Sequence, residues 1–455
     1  MTKRAVVLAG GGSRGGYQMG VWKALLELGI DYQIVTGTSV GALNGAFMVQ
    51  GDYDMAMELW EHVSNKDVMQ IEGIDLNEQL LDCDYRERRK ILKSFIHDVI
   101  QKGGADVTPL EELVHLYLSE EKLRTSDVDF GLITVEYPSM HEQRLTKDKI
   151  PNGRAADFLI ASAACFPAFR AKEIEGVRYI DGGYYDNMPV DLAIEMGADE
   201  VIAVDLNSIG VKRRVSDRDI PVKYISSYWS LGNFLIFEKE TTKRNMTLGY
   251  NEAMKAFGVH EGMAYTFKKG ELVPNARRLH EGFDVHLQML RHGSENKLMT
   301  IMMKLAYRAV QDEVRRRRDL DKNMSLAEAV TACGEIAAEL FNVDPTAIYT
   351  CEEFNRKIMQ KYHELLQKAI AAIKAVIGKE MNMMEVVRLI HFIERSHITC
   401  YVSNVMEECL CGIREEKDAA LLAVTFPRAT AAAFYINLLK YADERDNFAN
   451  ESNKN

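Results

Sequence analysis

The sequence predicts an α/β fold: a mainly parallel sheet with helices on both faces, three layers in all, followed by an all-helical region. Three observations carry this. Ala5–Ala9 is apolar without alternation and bounded by glycine, as expected of a parallel strand buried on both faces. Similar short runs at Gln33–Thr36, Phe130–Val135 and Val201–Leu206 alternate with segments of helical periodicity. Beyond about residue 275 glycine becomes sparse and only helical patterns remain. The expected organisation is a sheet domain over 1–275, a helical accessory domain over 276–446 and a disordered polar tail over 447–455.

Bulk properties bound the function. The 455 residues, 47% of them hydrophobic, are ample for a buried core and for two or three domains. A net charge of −11 and a pI near 5.6 argue against a nucleic-acid binder and against any general attraction to anionic membranes. The seven cysteines are scattered and lack metal spacing, so they read as reduced thiols. The apolar run after Lys3 and Arg4 is too short for a signal peptide. No stretch approaches the roughly 18 uncharged apolar residues of a membrane span. The expected location is cytoplasmic, with at most peripheral contact with a membrane. Neither metal nor cofactor is expected, because the aspartates and histidines lack ligand spacing.

After the first strand comes Gly10-Gly-Gly-Ser-Arg-Gly-Gly16, then a helix with Val21, Ala24, Leu25 and Leu28 on one face and Gly29 as its stop. Gly10, Gly12 and Gly15 satisfy the dinucleotide-binding pattern. That fold requires an acidic residue at the end of the second strand, and here the strand ends in Thr36-Gly-Thr-Ser-Val-Gly41. The better reading is an oxyanion hole, with amides from Gly10, Gly11, Gly12, Ser13, Arg14 and Gly15 around one point.

Gly37-x-Ser39-x-Gly41 stands between a strand and the small-residue helix Ala42–Gln50. Flanking glycines permit a sharp turn that presents the Ser39 hydroxyl at the positive end of a helix. This is a nucleophile's position. Gly51 closes that helix, and Asp52–Val63 reads as another with Asp52 as N-cap. Residues 64–128 look like a polar insertion with helical patches at Arg86–Gln101 and Leu110–Leu118. Ala155–Ala164 is a helix of small residues. Arg178-Tyr-Ile180 then leads into Asp181-Gly-Gly183. Taken alone, Asp181-Gly182-Gly183 reads as a turn. As a base for a serine it would need burial to raise its pKa from the ordinary value of about 3.9.

The four blocks Gly10-Gly-Gly-Ser-Arg-Gly15, Gly37-Thr-Ser-Val-Gly41, Ala161-Ser-Ala-Ala-Cys-Phe-Pro167 and Asp181-Gly-Gly183, in that order, resemble the patatin-like phospholipases. The resemblance covers roughly residues 4–260, including Arg244 to Tyr250. It implies a catalytic dyad without histidine, Ser39 as nucleophile and Asp181 as base, with Gly37, Gly41, Gly182 and Gly183 shaping the two motifs. It also implies an oxyanion hole in the glycine loop, in which Arg14 either fixes the loop or faces a lipid phosphate. The implied activity is hydrolysis of fatty-acyl esters, with phospholipid or another acyl-ester lipid as substrate. Two alternatives stand beside it. One is a Ser-His-Asp esterase of the α/β-hydrolase kind using His260 or His286, although there the elbow follows several strands. The other is a signalling or defence effector whose helical domain senses a ligand and whose output is membrane lipid degradation.

Elsewhere the patterns are helical. Tyr228–Phe237, rich in aromatic and aliphatic residues, reads as a core helix, with a lipid surface or an acyl channel as the competing role. Met299, Met302, Met303, Met381, Met383 and Met384 read as helix packing. Glu295–Arg318 reads as one helix ending in Arg315–Arg318, cations suited to a helix C-terminus. Ser325-x-x-Glu328 and Thr350-x-x-Glu353 look like capping boxes. Ile370, Ile373 and Ile377 share a helical face before Gly378. Further helices are expected over Met384–Arg395 and Ala419–Tyr441, the latter broken or bent at Pro427.

Overall fold

A computed structural model of the chain describes residues 2–70, 104–291, 297–316, 324–376 and 392–452, with residues 94, 97, 101, 389 and 390 between them. The chain divides into two compact units, Met1–Phe257 and Gly258–Asn455.

The first unit is built on an eight-stranded sheet. Its elements in chain order begin β1 (Arg4–Leu8), α1 (Gly16–Glu27), β2 (Ile34–Thr38), α2 (Val40–Gln50), α3 (Tyr53–His62) and α4 (Asn65–Val68). There follow α5 (Thr108–Tyr117), α6 (Glu120–Thr125), β3 (Asp129–Tyr137), β4 (Glu142–Thr146), α7 (Ala155–Ser162), β5 (Lys172–Ile174) and β6 (Val177–Asp181). The unit closes with α8 (Val190–Glu195), β7 (Glu200–Asp205), β8 (Val222–Ser226) and α9 (Lys239–Ala256). The strand order is β5-β6-β3-β2-β1-β7-β8, with β4 pairing β3 off that path. β1, β2, β3, β7 and β8 pair in parallel, whereas β4 and β6 each pair antiparallel with β3, and β5 pairs antiparallel with β6. Asp181 therefore ends an antiparallel strand, which the apolar runs alone did not distinguish from a parallel one.

Period-two geometry sends successive side chains of β1 to opposite faces. Val6 and Leu8 join the larger core with Val21, Trp22, Ala46 and Met246, while Ala5 and Val7 join a smaller one with Val190 and Ala193. The absence of alternation is thus the signature of a sheet covered twice, and three layers result.

Helix α1 lies against α9 at very close range. A Cβ on Gly20 would stand 1.8 Å from the Met246 carbonyl oxygen, and one on Gly249 would stand 2.0 Å from that of Tyr17. The Arg244 to Tyr250 stretch is thereby fixed to the first helix. Two local expectations change. Asp52 precedes α3 without a capping bond; its carboxylate instead takes Lys122 at 2.8 Å and Gln50 at 3.1 Å. Tyr228–Phe237 is irregular rather than helical, although Leu235, Ile236 and Phe237 are buried. The patch Arg86–Gln101 lies almost wholly outside the described residues.

The second unit contains α10 (Leu272–Arg291), α11 (Lys297–Arg316), α12 (Leu326–Leu340), α13 (Cys351–Val376), α14 (Arg395–Leu410), α15 (Glu416–Thr425) and α16 (Pro427–Ser452). It also holds a small sheet of β9 (His260–Glu261), β10 (Thr266–Lys268) and β11 (Ile348–Tyr349), which helical periodicity did not announce. Aromatic packing accounts for it: Phe354 meets Phe267, Tyr265 and Tyr349 with ring centroids 4.8, 5.2 and 5.3 Å away. The division between units consequently falls before β9, ahead of the composition change near residue 275. Both capping boxes form, Ser325 with Glu328 and Thr350 with Glu353. Pro427 opens a new helix, where its missing N–H costs nothing. Residues 447–452, expected to be disordered, continue α16. The side chains of Met299, Met302 and Met303, the residues Met381, Met383 and Met384, and Ile377 and Gly378 lie outside what the structure describes, as do residues 384–388 and 391 of the expected helix Met384–Arg395, which bends at residue 393. Among the described residues no helix is long and apolar enough to cross a membrane.

Because the Met246 carbonyl cannot retreat far within its helix, Gly20→Ala should cost the first unit about 2–3 kcal/mol. All three tryptophans (Trp22, Trp60, Trp229) lie in this unit, so urea unfolding followed by their fluorescence should show the loss as a lower midpoint.

Candidate active site

Ser39 stands between β2 and α2 at φ 57° and ψ −130°, a backbone conformation disfavoured for any residue with a side chain. It is held there by exclusion. A Cβ on Gly37 would stand 2.2 Å from the Gly41 carbonyl oxygen, and one on Gly41 would stand 2.1 Å from that of Leu8. The Ser39 N–H donates to Ser162 Oγ at 2.9 Å, and Ser162 in turn donates to the Ile133 carbonyl at 2.7 Å. Ser162 is fully buried. It lies within the third sequence block, but nothing in that block distinguished it as the brace of the elbow.

Strand register brings Asp181 alongside. Thr38 pairs with Ile133 on β3, and the next residue, Thr134, pairs with Asp181 on β6. The Ser39 side chain neighbours the Asp181 carboxylate and lowers its pKa; Oδ1 of that carboxylate accepts the Gly183 N–H at 2.7 Å. Burial raises the Asp181 pKa from 3.8 to about 6, against the opposing effect of Ser39 and the Gly183 N–H. A Cβ on Gly182 would come within 2.2 Å of the Ile133 carbonyl, so the turn admits no side chain there. The turn and the carboxylate site are one structure.

The glycine loop forms the third wall. Gly10 N–H is taken by the Asn187 carbonyl at 3.0 Å, Ser13 N–H by Phe234 at 2.9 Å and Arg14 N–H by Gly11 at 3.2 Å. Gly15 is packed under Val40 and Trp60. Of the six expected loop residues, Gly11 and Gly12 line the cavity. Among the described residues no hydrogen bond occupies their N–H groups. Gly12 has φ +55°, and a Cβ there would meet the Phe234 carbonyl at 2.1 Å. Arg14 donates to the carbonyls of Gly232, Asn207 and Leu206 at 2.9, 2.8 and 3.3 Å. Of its two sequence readings, the geometry is that of a loop clamp.

Both Ser39 and Asp181 line a cavity of about 640 Å³ within this unit, in the size range of ligand sites. Leu43, Phe47, Trp60, Leu159, Phe234 and Phe237 supply apolar walls. The competing role of the Tyr228–Phe237 segment, lining a channel, is thus the one its last residues adopt. Trp60 turns its ring to the cavity and donates Nε1 to Asn44 Oδ1 at 2.9 Å. Asn44 donates to Gln18, and Gln18 to the Ala9 carbonyl, each at 2.7 Å. This buried amide chain steadies the start of the glycine loop, and sequence reasoning missed it because single polar residues in helices carry no distinguishing pattern. Cys165 also lines the cavity, and burial pushes its thiol up to about 12, leaving it protonated. Among the described residues no histidine lines the cavity. His260 belongs to the second unit, and the side chain of His286 lies outside the described residues.

Residues 6–194 match the family model for patatin-like phospholipases. Over this stretch the chain is similar to the patatin-like phospholipases. Over 204 residues it is 26% identical to patatin-like phospholipase domain-containing protein 7 of Rattus norvegicus, covering 45% of this chain and 14% of that protein. Over 233 residues it is 26% identical to Lysophospholipase NTE1 of Pyricularia oryzae, covering 50% of this chain and 13% of that one. The chain spans about one seventh of the length of these relatives. The crystal structure of VipD from Legionella pneumophila aligns at a TM-score of 0.36 and 14% identity, covering 95% of this chain and 91% of that one. The patatin-like match contains all four sequence blocks and ends beyond Asp181.

Two consequences for stability follow from the geometry at Ser39 and Asp181. Strain at Ser39 of about 1 kcal/mol or more should be relieved by Ser39→Gly and kept by Ser39→Ala, so the glycine variant should unfold at higher urea by tryptophan fluorescence. The raised pKa of Asp181 means that its ionised form costs stability, a cost absent below about pH 4 and complete above about pH 6. Asp181→Asn should therefore match wild type at pH 4 and exceed it by about 1–3 kcal/mol at pH 8, measured by unfolding at both values.

Proposed function

We propose that the chain is a serine lipid acyl hydrolase of the phospholipase A or lysophospholipase kind, cleaving fatty-acyl esters with Ser39 as nucleophile and Asp181 as base. The observation that carries this reading is the placement of Ser39 beside a buried, pKa-raised Asp181 at the wall of an apolar cavity. A serine hydroxyl needs a base within reach, and Asp181 is the carboxylate whose pKa the Ser39 side chain lowers.

The acyl chain lies in the apolar cavity and brings its ester carbonyl to Ser39. Asp181 takes the hydroxyl proton as Oγ bonds to the carbonyl carbon. The negative charge on the carbonyl oxygen is met by the N–H groups of Gly11 and Gly12, at the positive end of α2. Collapse expels the alcohol portion of the lipid, which leaves with the proton from Asp181. Water then attacks the acyl-enzyme, giving up a proton to Asp181. The second collapse frees the fatty acid and returns that proton to Ser39. Burial serves the base directly, because a carboxylate with pKa about 6 is a stronger proton acceptor than an exposed one yet ionised at neutral pH.

Ser39→Ala should lower hydrolysis of phospholipid and of short-chain nitrophenyl esters by about 10⁴-fold, and wild-type turnover by that variant would end the proposal. Wild-type kcat/KM should rise with pH through an apparent pKa near 6 as Asp181 ionises. Asp181→Asn should abolish that limb together with most of the activity, whereas His260→Ala should keep both.

A further inference from the structure

We propose that the loop Ser208–Arg214 is a docking surface for an anionic lipid bilayer, placed at the mouth of the cavity; the need for such a surface rests on the acyl-hydrolase reading. Ile209, Val211 and Tyr184 line the cavity, yet they are 88%, 48% and 43% exposed. Side chains that do both stand on its rim. Single exposed apolar residues are ordinary, but three around one opening form a surface with an insertable tip, Ile209.

Charge selects the occupant. From Ser208 to Asp219 the chain carries Lys212, Arg213, Arg214 and Arg218 against Asp217 and Asp219, a positive stretch in a chain of net charge −11. This stretch places positive charge beside the apolar rim, where an anionic bilayer would be attracted. Two of the cations are held in place: Lys212 pairs with Asp205 at 2.6 Å, and the Arg213 guanidinium stacks 3.7 Å from the Tyr185 ring centroid. Arg214 is exposed. Cations next to a protruding aliphatic side chain match a headgroup layer over an acyl layer.

The loop is also tied to both catalytic motifs. Val211 N–H donates to the Gly183 carbonyl at 2.9 Å, the Asn187 N–H donates to the Val211 carbonyl at 2.6 Å, and Ser208 Oγ donates to the Gly10 carbonyl. A bilayer seated on this loop would meet the cavity mouth in a fixed position relative to Ser39, so a lipid could enter without crossing water.

The test separates docking from catalysis by using the full chain carrying Ser39→Ala, which leaves the vesicles intact. Sedimentation would be measured with vesicles of phosphatidylcholine containing about one third phosphatidylserine, and with phosphatidylcholine alone. The protein should partition to the anionic vesicles and be released on raising salt from about 0.1 M to about 1 M. Arg214→Glu and Ile209→Glu should each weaken partitioning about tenfold or more, with Ile209→Ser as a milder check on the same position. In the otherwise native chain, Arg214→Glu should hydrolyse a soluble nitrophenyl ester at the wild-type rate while losing activity on anionic vesicles. Partitioning unaffected by Arg214→Glu and Ile209→Glu, equal binding to both vesicle types, or no binding at all would overturn the proposal. Vesicle binding without any ester hydrolysis would overturn the acyl-hydrolase reading and leave the docking surface standing.

Discussion

A hydroxyl held in a strained turn meets a carboxylate that has lost its water, and the architecture of the first unit serves to keep those two conditions together. Neither is favourable locally. The backbone at Ser39 would relax if either flanking glycine had room to move, and the Asp181 charge would be cheaper in solvent. Both persist because the surrounding sheet over-determines them. β2 and β6 are each hydrogen-bonded to β3, and Ser162 ties the elbow amide to the same strand through the Ile133 carbonyl. Ile133 therefore braces the serine from one side and, through its close approach to Gly182, limits the aspartate turn from the other.

The cavity extends the same logic. Burial beside its apolar walls raises the Asp181 pKa, so in the proposed reaction acyl-chain accommodation and base strength would have a common cause. Polar groups near it are almost all committed: Arg14 to three carbonyls, Asn44 and Gln18 to each other and to the strand end. Gly11 and Gly12 are the contrast, lining the cavity with N–H groups that take no hydrogen bond among the described residues. A loop clamped by side chains behind it can present such amides without reorganising during the reaction.

The second unit has its own fixed points. Glu335, fully buried in α12, accepts the N–H groups of Met263, Ala264 and Tyr265 at 2.8, 2.9 and 3.1 Å. Asn275, Asn355 and Tyr435 close a ring of hydrogen bonds between α10, α13 and α16. Buried polar groups of this kind penalise alternative helix registers, since any slip leaves a donor or acceptor without a partner. They define this unit as a specified fold and not a loose helical appendage.

What the sequence determined by itself was whatever short-range physics controls. Four of the five parallel strands were legible in short apolar runs, with β8 missed because its charged and polar residues break the run; the elbow was legible in glycines two residues either side of Ser39, and the capping boxes at Ser325 and Thr350 in side chains that bond within one turn. Asp181 was legible as a turn, and became a candidate base only in the company of the other three blocks. Only the tertiary structure decided the rest. That β6 runs antiparallel, that Ser162 and Asn44 are braces, that Arg14 is a clamp, and that Phe234 and Phe237 wall a cavity all depend on partners distant in the chain. The physical reason is range: a cap or a glycine turn is satisfied by its neighbours, whereas desolvation and cross-strand register exist only after the sheet has closed around them.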